Sequence, residues 1–155
     1  MKPVVFLRVA SVLTLIHSIL HTVGGVFGKP VNGVAAGVAA SMRTTFPAFG
    51  LTRSYSDFYM GMGLGVTIFL TMDALLLLIL ASMAKKDAAR LRPLIVVFAI
   101  GYLAFALNSY TFFFAAPVIV ELLIVASLIA AIGTARPLNS LETKREAMPL
   151  DTAQS

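Results

Sequence analysis

Four long apolar stretches, at residues 4–28, 58–83, 93–114 and 116–133, leave this chain few ways to fold. Each reaches or approaches the ~20 helical residues that cross the hydrocarbon core of a bilayer. Within them the apolar residues run on without the two-residue alternation of a barrel strand. The expected fold is all-α: an integral membrane four-helix bundle, occupying residues 1–137. Charged residues make up 12% of the chain, against about 25% in a soluble domain. Outside the spans only an outer loop, 29–57, and a tail, 138–155, remain. The tail is polar and mixed in charge, and is expected to be flexible and cytoplasmic.

Charge orients the bundle. The segment between the second and third spans carries Lys85, Lys86, Arg90 and Arg92; Lys2 and Arg8 flank the first span, and Arg136, Lys144 and Arg145 follow the fourth. With four spans these fall on one side, so both termini are expected in the cytoplasm. The opposite side has only Lys29, Arg43 and Arg53, spread along the outer loop. The high pI, near 9.9, thus reflects topology, and no nucleic-acid partner is expected. The first span continues past His21 with no small-x-small cleavage site, which reads as a retained helix rather than a removed signal. Cysteine is absent, which excludes disulfides and thiolate chemistry.

Inside the apolar stretches stand groups that lipid should reject: His17, His21, Asp73, Asn108 and Glu121. At 1.5 Å rise per residue, His21 lies about 10 Å, His17 about 16 Å, Asn108 about 9 Å and Glu121 about 6 Å below the outer surface, with Asp73 near mid-membrane. Buried ionisable groups in membranes face the interior and find partners. His17, His21, Asn108 and Glu121 are therefore expected to gather in the outer half, with Tyr55, Tyr59 and Arg53 closing the site from above and Asp57 a further ligand-binding candidate. The cytoplasmic half is almost purely aliphatic, which argues against a proton relay through Asp73. His17 and His21, four apart, share a helix face. With Glu121 they are weak candidates for a metal, although one face cannot supply both axial ligands of a haem. A structural polar network is the plainer alternative, and no cofactor is implied.

Other features concern packing. Gly61 and Gly65 form a G-x-x-x-G pair at the start of the second span, suited to close helix approach and to a homo-oligomer. Arg53 and Asp57, four apart, suggest an ion pair, or contact of Arg53 with lipid phosphate. The outer loop is long enough to carry structure of its own. Val34–Met42 suggests a short helix, and Thr44–Arg53 an apolar lid or re-entrant turn.

The run Arg53-Ser54-Tyr55-Ser56-Asp57-Phe58-Tyr59-Met60-Gly61-Met62-Gly63-Leu64 resembles the signature R-S-Y-x-D-F-Y-x-G-x-G-L of a family of small four-span bacterial inner-membrane proteins. His21 and the turn Phe113–Pro117 resemble further features of that family. The resemblance implies one domain in the bacterial inner (plasma) membrane and brings no substrate with it. The architecture is also similar to the emopamil-binding and sigma-2 receptor group, which implies a pocket with His21, Asp73, Asn108 and Glu121 as its polar candidates. No residue's role is carried over from that group.

These readings converge on a membrane protein that binds a small lipophilic ligand in a polar-lined pocket, with membrane lipid as its other partner. Two alternatives stand beside it. One is an isomerase-like membrane enzyme, with Glu121 or Asp73 moving a proton and His21 as partner. The other is a structural subunit of a membrane complex.

Overall fold

The computed structural model describes residues 2–135; the expectations for the tail, 138–155, lie outside them. Along the chain, helix α1 (Pro3–Leu20) runs into one π-helical turn (His21–Val26). Helix α2 (Gly33–Ser41), strands β1 (Thr45–Ala48) and β2 (Leu51–Ser54), and helices α3 (Tyr55–Asp87), α4 (Arg92–Phe112) and α5 (Ala115–Thr134) follow. Four segments, Pro3–Val26, Tyr55–Asp87, Arg92–Phe112 and Ala115–Thr134, are long and apolar enough to cross a membrane. Their ends match the expected spans to within about one helical turn. Even the best-covered of them is only 39% buried. Leu76, Ile79, Ile100, Leu107 and Ile129 are among the large apolar side chains left outside, which is compatible with a membrane protein.

The chain divides into two compact units, residues 1–13 with 74–155, and residues 14–73. In the described part of the first unit, α4 and α5 are joined by a very short connection at Phe113 and Phe114, and Pro93 and Pro117 sit in their opening turns. Ile95, Tyr102, Ala106 and Ser109 are buried on α4, and Glu121, Ile124, Val125, Leu128 and Ala131 on α5. These spacings of three, four and seven form one stripe on each helix. On α3 the buried positions are Ala74, Leu77, Ala81, Ala84 and neighbouring Leu80. Alanine there lets a neighbouring backbone come close, and Ser11 of α1 donates to the Ala74 carbonyl at 2.7 Å. Asp87 ends α3 by accepting the Arg90 N–H at 3.2 Å.

The second unit contains the loop 29–57, which is more structured than the sequence suggests. The short helix is present as α2, and Asn32 caps it by accepting the Ala35 N–H at 2.9 Å. The segment expected to be a lid or re-entrant turn is instead an antiparallel hairpin, pairing Thr45 with Ser54 and Ala48 with Leu51. Its two turn residues, Phe49 and Gly50, have φ of 50° and 79°. Positive φ at both central positions marks the turn type whose twist matches that of paired strands. A two-stranded hairpin is marginal alone. This one is fixed to α3 by the Phe46 ring, 5.0 Å from that of Tyr55 and 6.3 Å from that of Phe58. The Ser56 N–H also reaches the Met42 carbonyl at 2.9 Å.

Candidate functional site

A polar seam joins the second half of α1 to the first half of α3. Thr14, His17 and Ser18 are buried in α1, and Thr22 follows one turn later. The Ser18 hydroxyl lies 2.9 Å from that of Thr71 and 3.2 Å from the Thr67 carbonyl. The Thr22 and Thr67 hydroxyls are 2.9 Å apart. Three of these groups also reach back along their own helix: Thr22 to Ser18, Thr67 to Gly63 and Thr71 to Thr67, at 2.7, 3.2 and 2.8 Å. A hydroxyl has one proton and two acceptor positions. In each cross-helix pair one partner donates across while the other donates to its own backbone. The hydroxyls of Ser18, Thr22, Thr67 and Thr71 are thus all satisfied, whereas the buried Thr14 hydroxyl makes no hydrogen bond among the described residues.

His21 closes the end of the seam nearest Tyr59. It opens the π-helical turn, is half-buried, and its Nε2 lies 3.1 Å from the Gly63 carbonyl. A carbonyl can only accept, so Nε2 carries a proton, and in the neutral form of the ring Nδ1 is the acceptor. No hydrogen bond to Nδ1 is made among the described residues. Gly25 lies over that nitrogen, with the position of a β-carbon there 3.4 Å from Nδ1. The Gly63 carbonyl receives both His21 and Thr67, using its two lone pairs. Tyr59, largely exposed, donates to the Gly25 carbonyl at 3.4 Å. A π-turn widens the helix by one residue, and such turns concentrate at functional sites.

Close approach here depends on Gly63. A β-carbon at that position would fall 2.9 Å from a Val26 methyl. At Gly61 and Gly65, the pair that the motif singles out, nothing lies within 4 Å among the described residues. The contact inside the chain is therefore made by the glycine between them, and the G-x-x-x-G face is open.

The remaining candidates are distributed as follows. Asp57 lies in the first turn of α3, where its carboxylate accepts the Ser54 N–H at 2.8 Å and the Ser54 hydroxyl at 2.9 Å. The Asp57 N–H is 3.2 Å from the same hydroxyl, a reciprocal cap. The ion pair expected with Arg53 gives way to this cap, and exposed Arg53 donates to the Thr52 carbonyl at 3.0 Å. Asp73 is half-buried in the middle of α3. In the other unit Glu121 is fully buried and accepts the Ser109 hydroxyl at 2.8 Å. Asn108, expected inside, is exposed, because Ser109 occupies the inward position of that turn. No group of three or more His, Asp or Glu that could hold a metal ion occurs among the described residues.

Ser18, Thr22, Thr67, Thr71 and Ser109 had no place in the sequence reading. Their signal was spacing: Ser11, Thr14, Ser18 and Thr22 recur every three or four residues. No protein-family model, curated protein or solved structure matches this chain. The chemistry of the site is accordingly read from its own residues.

Proposed function

We propose that this is a multi-pass protein of the bacterial inner membrane, with both termini cytoplasmic, that binds a small lipophilic molecule at the outer end of the α1–α3 seam. One observation carries the reading: the π-turn that begins at His21 holds one imidazole nitrogen on Gly63 and presents the other beside Gly25. A ligand with an apolar body and one hydroxyl or amide donor suits such a position. Apolar walls with a few placed polar groups are the usual composition of small-molecule sites. Tyr59 adds a second polar group at the same end.

Native mass spectrometry of gently extracted protein tests this. A bound small molecule retained by the wild type, lost in His21→Ala and in Gly25→Val (which covers Nδ1), supports the site. Its retention in both variants, with the fold intact, removes it.

A second reading is favoured by the self-satisfied hydroxyls. In it the seam only holds α1 to α3, within a helical bundle or as a subunit that meets a second copy through the open Gly61 and Gly65 face. Under that reading Thr67→Val lowers stability and nothing is bound at His21.

A further inference from the structure

We infer that α2 and the hairpin form a lipid-binding element that lies on the outer leaflet and selects anionic phospholipid. The inference rests on the membrane assignment above but not on a ligand at His21.

Helix α2 buries no residue, although it is built almost wholly of Gly, Ala and Val. A helix apolar on all sides needs a cover. Val31 and Val34, 91% and 79% exposed, lead into the same surface, and Phe49 at the hairpin tip is fully exposed. Phe49 keeps a large apolar ring in a left-handed turn position that favours Gly or Asn, which suits a residue retained for what it inserts into. Beside Tyr55, the small face of α2 (Gly33, Gly37, Ser41) with Val34 and Val38 lines an open groove of about 540 Å³. Its walls suit an acyl chain.

Charge identifies the lipid. Arg43 and Arg53 within this element and Lys29 just before it are all exposed, and the chain has no acidic residue before Asp57. Asp57 is engaged by Ser54. Cations interleaved with apolar and aromatic side chains are the composition of segments that lie at anionic membrane surfaces. Depth along α3 agrees. From Lys85, a cation suited to the cytoplasmic headgroups, back to Tyr55 is about 45 Å of helix. A bilayer with its headgroups is about 40–45 Å thick. Tyr55 thus reaches the outer headgroup level, where Tyr59 and Phe58 also belong.

The chain has no tryptophan, so Phe49→Trp introduces a single tryptophan, excited selectively at wavelengths that the tyrosines do not absorb. The full-length protein carrying it is placed in bilayers of phosphatidylcholine alone, or of equal parts phosphatidylcholine and phosphatidylglycerol, with brominated acyl chains on one lipid at a time. The inference expects blue-shifted emission, quenched more by brominated phosphatidylglycerol than by brominated phosphatidylcholine in the mixed bilayer. Neutralising Arg43→Gln and Arg53→Gln should weaken that preference by about fivefold per cation. Gly37→Leu, which meets nothing within 4 Å, should fill the groove and reduce retained phosphatidylglycerol. Val34→Trp repeats the measurement from α2 if the hairpin does not tolerate the first probe.

Water-like emission, equal quenching by both lipids, or emission shielded from water yet untouched by brominated lipid (a protein covering the element) would each overturn it. Ile100→Trp, at an exposed position in the middle of α4, is the control. Quenching there without quenching at 49 and 34 rejects only the lipid element. No quenching at 100 rejects the membrane assignment itself.

Discussion

The hydroxyls of Thr22 and Thr67 meet at 2.9 Å across α1 and α3, and the one that does not donate across has a carbonyl of its own helix within reach. Neither bond needs water. In a membrane that matters, because an unmet polar group in hydrocarbon has no solvent to turn to. Thr67→Val keeps the shape and removes the hydroxyl. Stability should fall by roughly 0.6–1.7 kcal/mol, the range found for hydrogen bonds between membrane helices. Reversible unfolding in mixed micelles measures this, and Thr111→Val, whose hydroxyl serves only the Leu107 carbonyl, should cost less.

Gly63→Ala places a methyl against Val26 and should cost about 1–3 kcal/mol, the usual penalty of overpacking. Val26→Ala makes room, so the double variant should recover most of the loss. Gly61→Ala and Gly65→Ala, with open space at both positions, should leave the monomer as stable as before. If these two variants instead lower the oligomeric mass in detergent, the open face is a contact with a second copy.

Ser109→Ala removes a donor from the buried Glu121 carboxyl. A loss of about 1–3 kcal/mol is expected, the cost of taking one partner from a buried polar pair. Ser109→Thr, which keeps the hydroxyl, should lose less. Thermal unfolding of the three proteins side by side decides it, and equal stability would mean that the bond contributes little.

The hairpin turn should respond with opposite signs at its two positions. Gly50→Ala puts a side chain at φ of 79° and should destabilise the hairpin by about 1–2 kcal/mol. Phe49→Gly relieves the same kind of strain and should stabilise it in detergent by up to about 1 kcal/mol, less the entropy that glycine loses on ordering. Hydrogen exchange of the Thr45 to Ser54 amides reads both changes.

The long apolar helices were legible because apolar runs of that length are compatible with few other structures. The short helix α2 was legible for a similar reason, an Ala- and Val-rich run inside a loop too long to be featureless. The hairpin was not. Its strands have four residues each, one contains Pro47, and its turn is Phe-Gly rather than the usual Asn-Gly.

The polar seam was hidden by an ambiguity of serine and threonine in apolar helices. Ser82, Thr111 and Ser127 return their hydroxyls to the carbonyl four residues back and do nothing further in the described chain. Ser18 and Thr22 look the same in sequence and yet reach across. Only helix rotation separates the two cases, and rotation is a tertiary property. Asn108 shows the converse. Its polarity suggested an inward position, but the neighbouring Ser109 holds that place and leaves the larger amide outside.

The π-turn at His21–Val26 inserts the equivalent of one residue into α1. Deleting any single residue from it would restore ordinary winding and swing all that follows by about 100°. Val26 would leave Gly63, and the Gly25 carbonyl would leave Tyr59. A chain shortened there by one residue should keep a first helix of nearly the same hydrophobic length, but with its C-terminal end out of phase with α3.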